Sequence, residues 1–235
     1  MVVLKRHGLP SEKERGHIEE ILTKLIPGWS FRGYMTSIKD HWHEHIVFRL
    51  AEWWWQSQET HFIREGFGSA KNVNWELFQH LLPQPGSRIL DVGCNSGHVV
   101  IKLREMSYDA YGVDLPGVIQ RALEYYFPGM ERYLLPCNLE FEELPSNSYD
   151  LVLCLGVMEH LQSWDKLLPK IARVLKEGGV CYLTTCNRQA IEKENWHAHH
   201  FLLEELLEMG QEVGLEMIDS KVVTTSLRAT FKRKK

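Results

Sequence analysis

Ile89-Leu90-Asp91-Val92-Gly93-Cys94-Asn95-Ser96-Gly97-His98 is the stretch that decides how this chain folds. A short apolar run ends in an acid and a tight turn with glycines at 93 and 97. A helical pattern then runs to about Met106. Such a turn needs glycine where the backbone takes a positive φ or must approach a ligand closely. A second strand-like run, Asp109 to Val113, ends at Asp114, 21 residues after Gly93. In a nucleotide-binding βαβ unit, an acid at that point accepts hydrogen bonds from two ribose hydroxyls.

Outward from this unit the strand–helix alternation continues. Helices are expected over about Val118 to Tyr126, Trp164 to Leu175 and Leu202 to Val213. Strands are expected over Tyr133 to Cys137, Leu151 to Leu155 and Val180 to Thr185, with one or two more between Leu215 and Phe231. Gly178 reads as a left-handed helix cap. Apolar strands alternating with helices imply a parallel sheet covered on both faces. Before residue 85 the pattern is helical. Ser11 and Glu14 form a capping-box pair, Trp42, Ile46, Leu50 and Trp53 make an apolar stripe, and Trp75 to Leu82 reads as a short helix. The expected division is therefore 1–84, an N-terminal helical lid or extension, and 85–235, an α/β nucleotide-binding domain.

The loop reads DxGxxxG, not the GxGxxG of a dinucleotide fold. Asp91 would repel a diphosphate. It would instead favour the sulfonium and α-ammonium cations of S-adenosylmethionine, whose carboxylate can meet backbone N–H groups at the helix start.

These segments resemble the class I S-adenosylmethionine-dependent methyltransferases, in particular small-molecule enzymes of the ubiquinone-pathway type. Ile89 to His98 resembles their first motif, Tyr149 to Leu161 their fourth strand with its Glu-His-Leu continuation, and Ala172 to Gly179 their Arg-Val-Leu-Lys segment before a glycine pair. The resemblance spans roughly residues 75 to 220. It implies a Rossmann-like, mostly parallel seven-stranded sheet with helices on both faces and an N-terminal helical extension. It implies S-adenosylmethionine as cofactor and S-adenosylhomocysteine as product. By the same resemblance the cofactor-binding residues are Asp91, Gly93, Cys94, Asn95, Gly97, Asp114, Leu115, Asn138, Leu139, Leu155 and Gly156. Asn95 stands where the motif has its central glycine; asparagine is the non-glycine residue that best tolerates left-handed backbone angles.

The acceptor of an open α/β sheet lies over the carboxyl ends of its strands. His160, after the fourth strand, is the first candidate for a general base, and His199, after the fifth, the second. Tyr34, Trp54 and His200 are candidates for acceptor contact, with the aromatic run Trp53-Trp54-Trp55 suiting a small apolar or aromatic molecule. No metal site is expected, because Gly156 stands where an ExxEH metal-holding segment carries its first acid.

Composition narrows the partners. The 235 residues carry a formal net charge of -4, whereas a protein that clamps a long phosphate backbone is usually basic. Nucleic acid is therefore not the expected partner, and a small-molecule acceptor is. The five cysteines form no CxxC pair and read as reduced thiols, which suggests a cytoplasmic setting. No window approaches the length of a membrane-spanning helix, so no membrane association is expected. A transfer-RNA-modifying methyltransferase, a non-catalytic cofactor-binding module and a dehydrogenase are the alternatives.

Overall fold

The computed structural model describes residues 75–139, 141–145, 148–190 and 199–234. The expected capping box at Ser11 and Glu14, the helices before residue 74 and the acceptor candidates Tyr34 and Trp54 lie outside the described residues.

Seven strands form one sheet in the order β3-β2-β1-β4-β5-β7-β6. They are β1 (Arg88–Val92), β2 (Asp109–Asp114), β3 (Leu134–Pro136), β4 (Tyr149–Leu155), β5 (Leu175–Cys186), β6 (Leu215–Val223) and β7 (Ser226–Arg233). Pairings from β3 through β5 are parallel; β7 runs antiparallel between β5 and β6. Four α-helices connect them: α1 (His98–Glu105), α2 (Pro116–Tyr125), α3 (Leu167–Val174) and α4 (Leu203–Glu212).

The central strands β1 and β4 are mostly apolar because both of their faces are buried. Alternate residues feed two cores. Ile89, Leu151 and Leu153 pack with Val100 and Leu103 of α1 and Ile119 of α2. Leu90, Val92, Val152 and Cys154 pack with Leu168 and Ile171 of α3 and Leu206 of α4. Helices thus cover both faces, as the alternation predicted.

Three expectations at element ends are corrected. Trp75 to Leu82 is not a continuous helix but two 3-10 turns, Trp75–Leu77 and Gln79–Leu81, anchored by the fully buried Phe78. The expected helix from Trp164 opens as a 3-10 turn, Trp164–Lys166, before α3 begins at Leu167. Gly178 has the expected left-handed angle (φ 75°) but does not cap a helix. α3 ends at Val174, and β5 already begins at Leu175, with an irregularity in its pairing to β4 between Tyr149 and Leu151.

From β1 the chain moves outward to β2 and β3; from β4 it moves the other way to β5. The switch between these directions leaves a crevice above the carboxyl ends of β1 and β4, the usual ligand position in such sheets.

Candidate active site

The loop between β1 and α1 is stitched to its neighbours by backbone bonds. The N–H groups of Gly93 and Cys94 both donate to the Val113 carbonyl of β2, at 2.9 and 3.1 Å. Gly93 (φ 73°) and Gly97 (φ 80°) take left-handed angles. Glycine is doubly required at 93, since a Cβ there would lie 2.3 Å from Val157 Cγ2. That contact brings the segment after β4 against the loop after β1. Asn95 (φ 48°) holds the left-handed geometry without glycine, as expected for asparagine.

Two carboxylates end the neighbouring strands. Asp91 is 3% exposed, and burial, reinforced by the charge of Asp114, pushes its pKa up to about 8. Burial also raises Asp114, opposed by hydrogen bonds and by the positive charge of Arg121 on α2. Asp114 Oδ2 accepts the N–H of Asn95 at 2.7 Å, and Oδ1 accepts that of Leu115 at 2.7 Å. The ribose-type acid therefore braces the glycine loop as well as ending β2. Asn95 Oδ1 is buried and has no hydrogen-bond partner among the described residues.

A site with one buried acid, one half-buried acid and an orphaned acceptor suits a ligand that brings positive charge and hydrogen-bond donors. S-adenosylmethionine carries all of these on its sulfonium, ammonium and ribose groups. Asn138 and Leu139, both buried, follow β3, and Leu155 and Gly156 close β4, so the expected cofactor residues all come from the ends of β1 to β4 or the loops that follow them.

The segment after β4 turns sharply. Gly156 (φ 67°) leads into a 3-10 turn, Met158–His160, that begins directly after Val157, the Gly93 contact. His160 is half-buried at the end of that turn, and its backbone N–H donates to Val157 at 3.0 Å. Glu159 points inward: it is 4% exposed and accepts the Thr185 hydroxyl at 2.9 Å and the Cys186 thiol at 3.6 Å. Burial raises its pKa.

After β5 the chain returns alongside itself. Arg188 N–H donates to Phe201 O and Phe201 N–H to Cys186 O, at 2.9 and 3.1 Å. His199 stacks on Trp164, with ring centroids 4.3 Å apart and planes at 18°, while His200 is buried. His160 and His199 are thus carried by adjacent segments, joined by a 3.3 Å bond from His199 N–H to Glu159 O. Trp164, Arg188 and Glu205, which surround His199, were missed by sequence reasoning. Trp164 read as an ordinary helix start, and an arginine 11 residues from a histidine follows no spacing rule.

The strand order and glycine loop are those of the class I S-adenosylmethionine-dependent methyltransferase fold, and the charges at the strand ends fit S-adenosylmethionine. Residues 70–220 match a methyltransferase domain family, to which the chain belongs.

Among relatives, the ubiquinone biosynthesis O-methyltransferase of Albidiferax ferrireducens is 26% identical over 59% of this chain and 56% of its own length. A Helicobacter pylori tRNA U34 carboxymethyltransferase is 31% identical over 48% of this chain and 46% of its own. The chain thus spans only about half the length of the curated relatives it matches. A TehB-like methyltransferase structure from Corynebacterium glutamicum overlays with a TM-score of 0.59 at 22% identity, covering 76% of this chain and 98% of that one. Among the described residues, no helix is long and apolar enough to cross a membrane.

Proposed function

We propose that the chain transfers a methyl group from S-adenosylmethionine to oxygen or nitrogen of a small molecule. The observation that carries this reading is the contact of Val157 with Gly93, which sets the His160 turn beside the cofactor loop. The cofactor, when bound, supplies a methyl on a sulfonium with a neutral thioether as leaving group. The protein's task is then to hold the acceptor in line and keep water out. Asp91 and Asp114 hold the cationic and ribose ends. His160 takes the proton that an O–H or N–H acceptor must lose. The net charge of -4 and the relatives in ubiquinone biosynthesis both favour a small acceptor. A cytoplasmic setting fits the reduced cysteines, of which four of five are buried.

The likeness to tRNA U34 carboxymethyltransferases supports a second reading, with transfer RNA as acceptor. Labelled-methyl transfer from S-adenosylmethionine decides between them. Phenols, carboxylic acids and amines are offered in parallel with unmodified transfer RNA. Label in a small molecule, reduced at least tenfold by His160→Ala, is the expected result. Label in RNA alone would move the assignment to the second reading, and full activity in His160→Ala would remove the base assigned to it.

A further inference from the structure

The cluster beyond β5 has a polarity that its residue types alone do not disclose. Arg188 donates from Nε to the His200 carbonyl at 2.9 Å. Its Nη2 lies 2.6 and 2.7 Å from the two carboxylate oxygens of Glu205 and 3.0 Å from His199 Nε2. A guanidinium has five N–H donors, no acceptor, and a charge it does not lose. An imidazole nitrogen facing it at hydrogen-bond distance must present its lone pair. His199 Nε2 is therefore the acceptor, and the ring proton sits on Nδ1.

The surroundings agree. Among the described residues, the charged or titratable groups acting on the ring are Arg188, just after β5, Glu205 from α4 and the adjacent His200. Burial lowers the His199 pKa, Arg188 lowers it further, and Glu205, 3.7 Å from Nε2, opposes them. Trp164, from the turn before α3, offers an uncharged ring face, and Phe201 meets the imidazole edge-on at 4.6 Å. The 3-10 turn after β4 offers the backbone carbonyl of Glu159. Glu205 is itself fixed, since Oε2 accepts the Leu202 N–H at 2.9 Å at the start of α4.

We propose that Arg188 is a positioning residue that holds His199 as the neutral Nδ1–H tautomer, making His199 a hydrogen-bond donor to the methyl-transfer site and not a base. The donor role rests on the acceptor lying over these strand ends; the tautomer does not. Proton removal then falls to His160 alone.

Nitrogen-15 NMR of the full chain tests this, with the His199 signals identified by their loss in His199→Gln. The expected spectrum shows a protonated Nδ1 and an unprotonated Nε2 at neutral pH, with a titration midpoint below that of an ordinary histidine. Arg188→Met leaves Glu205 as the nearest charge, so the His199 midpoint rises by about one unit or more. Should that variant fail to fold, Glu205→Gln serves: it removes the opposing charge, and the midpoint falls while the tautomer stays. A protonated Nε2 in the native protein, or an unmoved midpoint in both variants, overturns the proposal. In turnover assays Arg188→Met lowers kcat and leaves S-adenosylmethionine affinity unchanged. The expected tautomer with unchanged kcat would keep the Arg188 assignment and overturn the donor role. No transfer to any acceptor would instead overturn the functional reading on which that role rests.

Discussion

Asp91 sits in surroundings that disfavour its ionised form. Its pKa is raised to about 8, so the folded protein binds a proton that the unfolded chain releases near pH 4. The sign follows from linkage: where the native state holds more protons, stability falls as pH rises. The ligand-free protein should therefore lose stability between about pH 4 and pH 8. Asp91→Asn should flatten that slope and raise the unfolding midpoint at pH 8, measured by urea denaturation across pH. An unchanged slope would mean that Asp91 is not the buried acid responsible. Bound S-adenosylmethionine supplies the missing positive charge, so its affinity should rise over the same interval. Gly93→Ala is a second test of the loop. The left-handed angle and the Val157 contact together should cost about 2–4 kcal/mol of unfolding free energy. Asp91, Gly93 and Asp114 were legible in the sequence because a tight turn and a strand-end acid admit few residue types. Arg188 was not, because its role comes from the chain returning alongside β5 near Phe201.

The strands and helices were read more faithfully than their ends. β1 and β4 stand out in sequence because burial on two faces makes them mostly apolar. The stretch from Lys176 to Gly179 misled. Gly178 suggested a helix cap, yet a Cβ on Gly179 would approach Lys176 O at 2.9 Å and Tyr149 O at 3.0 Å. The second glycine is there for close backbone packing as β5 opens. The same kind of complementarity joins α4 to the antiparallel strand: Gly210 leaves room for Phe231, whose ring would lie 2.5 Å from an added Cβ. Phe231 is fully buried, so Phe231→Ala should cost about 3–5 kcal/mol in chemical denaturation. A loss under 1 kcal/mol would mean that β7 does not pack on α4 as described.

Across the whole molecule, strand order does what no single motif can. Reversing direction between β1 and β4 brings the glycine loop, Asp91, Asp114 and the His160 turn to the carboxyl ends of neighbouring strands, where such sheets bind ligands. The sequence disclosed the alternation that requires such a sheet. It did not disclose the position of β7 between β5 and β6, because antiparallel insertion leaves no period of its own. The acceptor contacts expected at Tyr34 and Trp54 fall outside the described residues. The assignment therefore stands on the cofactor side of the crevice. Calorimetric titration of the full chain with S-adenosylmethionine and, separately, NAD probes that side directly, repeated on Asp114→Ala. The account predicts saturable binding of S-adenosylmethionine, none of NAD, and a loss of about 1–3 kcal/mol in the variant. Binding of NAD in its place, or an affinity for S-adenosylmethionine untouched by Asp114→Ala, would contradict it.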